Sequence, residues 1–202
     1  MKRVLFQRMF LVGLIAIVLT AGCHRADDVE ANTPNFFIQK SETLVVPAAV
    51  ELPANLPGGN TRVATFYAVG VQKYKARVVP GGGPEEYDWV FVAPRADLYD
   101  ASNRKVGTHG AGPHWKLLAG DSIRGEAFSP ARTAPSNDAA NIDWLLLKPL
   151  TASTPTGTFS NVSYIQRIAT YGGKAPAARP LHATDTIDCA YTAIYRFSRK
   201  NP

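Results

Sequence analysis

Ala190-Tyr191-Thr192-Ala193-Ile194-Tyr195-Arg196-Phe197, near the end of the chain, decides the fold class. Tyr191, Ala193, Tyr195 and Phe197 recur at every second position, so an extended segment places all four on one face. A helix would scatter them around its axis. Upstream, the same texture returns in short runs broken by Gly, Pro, Asn and Asp. Arg62 to Val79 reads as one long bent strand or two, with Gly70 as the bend, and Pro80-Gly81-Gly82-Gly83-Pro84 is a loop. Asp88–Val92 is a strand ended by Pro94. Further strands are expected at Ala96–Tyr99, Lys105–His109, His114–Leu118, Ser122–Phe128, Ile142–Leu147 and Thr158–Thr170, and Ile187–Ser198 holds the opening stretch. Trp144-Leu145-Leu146-Leu147 has the solid apolar character of a buried strand. Few windows carry helical spacing over three turns, and the βαβ alternation of a nucleotide-binding sheet is missing. The expectation is an all-β fold: a single antiparallel β-sandwich or jelly-roll-like barrel with long loops.

The N-terminus reads as an address. Lys2, Arg3 and Arg8 precede an apolar run of 11 residues from Met9 to Leu19, against the roughly 20 a helix needs to span a bilayer. Leu19-Thr20-Ala21-Gly22-Cys23 follows and resembles the bacterial lipobox, with Thr20 standing where leucine is usual. On this pattern residues 1–22 are a lipoprotein signal peptide, Cys23 is the lipidation site and residues 23–43 are a polar tether. Residues 44–202 form the β-rich domain. His24 follows the cysteine in place of an aspartate, which by likeness to sorted lipoproteins favours the outer membrane.

Charge excludes one class of partner. The 202-residue chain carries 22 basic and 16 acidic residues, a net +6. Residues 1–22 hold three of the basic ones and none of the acidic, so the remaining 180 carry 19 against 16, or +3. Scattered at that level, charge makes no electrostatic case for nucleic acid. The expected partner is the membrane, through the N-terminal lipid, with a small molecule or glycan as ligand.

Chemistry-bearing residues are sparse. His109 and His114, in Gly107-Thr108-His109-Gly110-Ala111-Gly112-Pro113-His114-Trp115, could ligate a metal with Asp97, Asp121 or Glu126. The competing reading is a tight turn in which His109 bonds backbone and Trp115 fills the core. Cys189 reads as a small strand residue, its alternative being a nucleophile beside His109 or His182. No GxSxG elbow, P-loop or GxGxxG occurs, so no nucleotide cofactor is expected. Gln166 and Arg167 in Tyr164-Ile165-Gln166-Arg167-Ile168-Ala169-Thr170 point to opposite faces of a strand. One therefore faces inward; an inward Arg167 needs Asp97, Asp121 or Glu126 as ion-pair partner, or else a cleft and an anion. Trp89, Trp115, Trp144, Tyr74 and Tyr99 could line a sugar-stacking groove, although most sandwich tryptophans are core.

Taken together, Gly70-Val71-Gln72-Lys73-Tyr74, Trp89-Val90-Phe91, the 107–115 segment, Trp144-Leu145-Leu146-Leu147, Tyr164-Ile165-Gln166-Arg167, Thr170-Tyr171-Gly172-Gly173 and Tyr191-Thr192-Ala193 resemble a family of secreted bacterial and fungal proteins. It is catalogued as domain of unknown function 3455. The resemblance spans about residues 46–197 and carries Gln72, Tyr74, His109, Trp115, Gln166 and Arg167 onto signature positions as candidate ligand-binding residues; His114 falls outside them. It also implies a disulfide whose positions are filled here by Ala76 and Ala177-Ala178-Arg179. The reading that follows is a lipid-anchored cell-envelope protein facing the periplasm or surface, a non-enzymatic binding or structural module without metal or cofactor. The alternative is a periplasmic hydrolase-like enzyme with His109 and Arg167 in one cleft.

Overall fold

The computed structural model describes residues 33–152 and 154–202. The signal peptide, Cys23 and His24 lie outside them.

Eight antiparallel strands form a closed barrel in simple up-and-down order. They are β1 (Asn60–Val78), β2 (Tyr87–Tyr99), β3 (Lys105–Gly110), β4 (His114–Leu117), β5 (Ser122–Ala134), β6 (Trp144–Pro149), β7 (Tyr164–Gly172) and β8 (Thr186–Lys200). The all-β, antiparallel expectation holds, and it is realised as a closed up-and-down barrel. Every strand pairs with its neighbours in sequence and β8 closes onto β1, so no Greek-key crossing of the jelly-roll kind is made. Strands consecutive in sequence thus lie side by side, the usual arrangement of successive elements.

Three sequence boundaries move. Pro94 does not end a strand, because Tyr87–Tyr99 is continuous; β3 pairs with β2 only from Ala96 onward, so at Pro94 the missing N–H faces no ladder. Gly70 lies within the unbroken β1. It is a place of close approach, where a Cβ would sit 2.1 Å from the Arg95 carbonyl oxygen of β2. The strand expected from Thr158 starts at Tyr164 instead, since Gly157–Phe159 forms a 3-10 turn and Asn161 adopts a positive φ of 58°.

Period-two alternation builds the interior. Tyr191, Ala193, Tyr195 and Phe197 of β8 all point inward, together with Phe66, Ala68, Leu98, Trp115, Ile123, Leu147 and Ile165 from the other strands. Phe159 closes one end of the barrel: its ring packs 4.7 Å from Phe197, and its N–H is accepted by Asp121 at 2.8 Å. The outer wall carries ion pairs such as Lys105–Asp97 and Lys148–Glu126. An apolar interior with a charged wall is the reverse of a membrane-spanning barrel.

Part of the stretch expected as tether is helix. α1 (Pro34–Ser41) starts at the N-cap Thr33, whose side chain accepts from Phe36, with Pro34 in the first turn. It lies on the outer wall: Phe37 stacks on Tyr67 at 4.9 Å, and the Ser41 carbonyl accepts from Arg196 at 2.7 Å. β8 is therefore buried on both faces, with Ile194 and Arg196 under the N-terminal arm.

Candidate functional site

The six candidate ligand residues separate along the strand alternation. Arg167 faces the lumen and Gln166 faces out. In register, Arg167 sits between Leu145 of β6 and Tyr195 of β8, while His109 sits between Ala96 and Trp115 on the far wall. The two walls meet across the lumen, where the His109 ring stacks on Trp115 at 4.6 Å and lies 4.8 Å from the Tyr195 ring. Above them opens a cavity of about 270 Å³. Phe91, Pro94, Pro113, Leu145 and Leu147 provide its apolar walls; His109, Trp115, Arg167 and Tyr195 provide its polar atoms. Sequence reading missed Tyr195 as a site residue. Its place on the inward face of β8 was visible in the alternation, but its register with Arg167 comes only from the fold.

Arg167 has no carboxylate partner among the described residues. The expected candidates are engaged elsewhere: Asp97 with Lys105, Glu126 with Lys148, and Asp121 with the backbone of Phe159. Arg167 instead donates from Nε and Nη2 to the Asp143 carbonyl, at 3.1 and 2.8 Å. Its charge acts on several neighbours, drawing down the proton affinities of His109, Tyr74, Tyr191 and Tyr195. Burial has the larger effect on each, in opposite directions for base and acids. It pushes the His109 pKa down to about 3 and the three tyrosines up. His109 is thus neutral, with Nδ1 3.0 Å from the His114 carbonyl; a proton on Nδ1 leaves Nε2 as an acceptor. This is the turn reading of the histidine motif, and no group of metal-ligating side chains forms among the described residues.

Four buried polar groups around this lumen lack a hydrogen bond: Trp115 Nε1, Tyr195 OH, Tyr191 OH and Gln72 Nε2. The Arg167 guanidinium and the Tyr191 hydroxyl both act on the Tyr195 hydroxyl as hydrogen-bonding neighbours, although neither completes a well-formed bond to it. Each unmade bond costs about 1–3 kcal/mol. Gln72 is buried beside the cup and Tyr74 stands near its rim, the tyrosine donating to the Gly173 carbonyl at 2.8 Å.

Gln166 belongs to a different device. Its Nε2 donates to the Val50 carbonyl at 2.8 Å, while Arg132 of β5 donates to the carbonyls of Ala48, Ala49 and Glu51. Four consecutive carbonyls of the arm, in and just after the 3-10 turn Ala48–Val50, are thus satisfied by two strand side chains. Gln166→Leu strips the buried Val50 carbonyl of its donor. It is expected to cost about 1–3 kcal/mol in urea unfolding and to leave occupation of the lumen unchanged. A variant of wild-type stability would show that the arm is held by apolar packing alone.

The remaining candidates do not converge. Trp144 lies outside the barrel under the arm, and Trp89 donates to the Ala178 carbonyl at 2.9 Å, so the tryptophans form no stacking groove. Cys189 is half-buried, and its thiol is pushed up by burial and by Asp188, the opposite of an activated nucleophile. A hollow of about 490 Å³ lies beside α1, and among the described residues Lys40 is the only charged one in its lining.

A family model described as "Protein of unknown function (DUF3455)" matches residues 57–199. No curated protein and no solved structure matches the chain.

Proposed function

The chain belongs to the DUF3455 family, and from the cup enclosed by its barrel we propose that it is a binding module that takes a small, mostly apolar molecule into the lumen. The lining carries this reading. Apolar walls surround a few buried polar groups that have desolvation costs and no partner, the usual composition of a ligand site. A cavity of about 150 Å³ accepts benzene, so by proportion this one holds roughly eleven non-hydrogen atoms. We further propose that the module is carried on the bacterial cell envelope by acylation of Cys23. The basic start, short apolar run and small residues before Cys23 support that anchor.

The hydrolase alternative requires His109 and Arg167 in one cleft, and they share one. Among the described residues, however, no serine, threonine, cysteine, aspartate or glutamate lines the cup. A histidine whose pKa is near 3 is also a weak general base at neutral pH. Binding is the reading the lining supports.

The test is occupation and blockage. Hexanamide and 3-phenylpropanamide are expected to raise the melting temperature saturably. Ala127→Trp, which places a large ring at the rim, should abolish the rise without lowering the unliganded melting temperature. Saturable binding that Ala127→Trp leaves intact would put the ligand elsewhere.

A further inference from the structure

We infer that the ligand of the cup is a monocarboxylic acid with a compact apolar body, its carboxylate received by Arg167 and Tyr195 while the body fills the space between Phe91, Pro94, Pro113 and Leu145. This rests on the cup being a binding site and adds the class of molecule.

Donor chemistry is the first reason. A guanidinium presents five N–H donors and no acceptor. Two of those of Arg167 go to the Asp143 carbonyl, which holds the plane of the group, and the guanidinium also acts on the Tyr195 hydroxyl beside the cup. Trp115 Nε1 can only donate, and Tyr195 OH has a proton to give. Trp115 and Tyr195 are 0% and 1% exposed, line the cup, and have no partner for these atoms. A site whose unsatisfied atoms are chiefly donors calls for an acceptor-rich group.

Charge is the second. Among the described residues, Arg167 is the only charged one lining the cup, and no carboxylate neutralises it. Asp143, whose carbonyl it bonds, has its own carboxylate turned to Lys174 at 3.2 Å. A half-buried cation without an anion is costly, and an anionic ligand removes that cost. One positive charge balances one negative charge. A phosphate dianion would bring an excess into apolar walls, whereas a planar carboxylate matches the guanidinium in charge and shape.

Size and wall chemistry set the body. About 270 Å³ leaves room for a ring or short chain beyond the acid group. His109, neutral and stacked on Trp115, offers a flat floor for it.

The experiment titrates the full-length protein with hexanoate, benzoate and 3-phenylpropanoate, each beside its primary amide, by calorimetry at pH 7. The acids are expected to bind about tenfold to a hundredfold more tightly than their amides, the range of a charge-assisted contact. Arg167→Gln should erase that preference, bringing acid and amide within about twofold. Tyr195→Phe, which deletes only a buried hydroxyl and should keep the fold, should reduce the preference severalfold if Arg167→Gln fails to fold. Acids and amides binding alike in the wild type would overturn the acid assignment and leave the cup as a neutral-ligand site. Binding of neither class would overturn both.

Discussion

Trp115→Ala is expected to lower the unfolding free energy by about 3–5 kcal/mol, the range for deleting a buried indole from a packed core. Trp115 is fully buried and meets four neighbours with defined geometry. It stacks on His109 at 4.6 Å and takes Tyr195 and Phe197 edge-on at 5.3 and 5.6 Å. Gly125 completes its seat, since a Cβ there would stand 3.1 Å from the six-membered ring. The side chain lies between the ligand cup and the Phe66–Phe159–Phe197 cluster that closes the barrel. Its loss would join the cup to the space above that cluster. Strands hydrogen-bonded into a closed ring collapse inward poorly, so the void would persist and the cost should fall in the upper part of the range. Urea unfolding followed by circular dichroism measures it. A loss below about 1 kcal/mol would mean that the lumen is not packed around the indole.

The second large effect is a pH dependence. His109 keeps its neutral form in the fold down to a pKa of about 3, against 6.5 for the exposed ring. Between those values the unfolded chain binds a proton that the folded protein does not. Stability contributed by this residue is therefore complete above pH 6.5 and falls as the solution is acidified toward pH 3. The slope is about 1.4 kcal/mol per pH unit. His109→Phe retains a ring against Trp115 and Tyr195 but has nothing to titrate. Its unfolding free energy should lack this component, so the difference between wild type and variant should grow with pH from 4 to 6 at about that slope. Parallel curves would show that the imidazole is hydrated and titrates normally in the fold.

Strand alternation made the lumen legible in advance. Period two on β8 placed Tyr191, Ala193, Tyr195 and Phe197 together, and it required Gln166 and Arg167 to part. Which of that pair faced inward was not legible, because the decision is made by residues 48–51, distant in sequence, whose carbonyls need Gln166. The helix at 34–41 was hidden for a related reason: its stability comes from docking Phe37 and Ile38 on the barrel wall, not from its own eight residues. His109 and Trp115 were visible as a turn followed by a core residue, and register then turned them into one wall of the cup. Tyr195 was read only as core, since nothing local marks a tyrosine whose hydroxyl stays unbonded. The family resemblance also implied a disulfide between positions occupied here by Ala76 and 177–179. Ala76 sits opposite Trp89 in the β1–β2 ladder, and Trp89 donates to the Ala178 carbonyl. A hydrogen bond thus tethers the loop where that resemblance places a covalent link.

The seam between β1 and β8, running from Asn60–Lys200 to Lys75–Thr186, joins the opening and closing strands of the barrel. Whatever the other strands have done, the ring stays open until the fifteen residues of β8 arrive. Loop closure across the whole domain must come before that seam stabilises anything, which makes completion slow relative to the local hairpins. A chain cut short before β8 would present bare edges on both β1 and β7, each ready to pair with another molecule. Ring closure therefore depends on β8: only a polypeptide that carries this strand can hide the edges of β1 and β7.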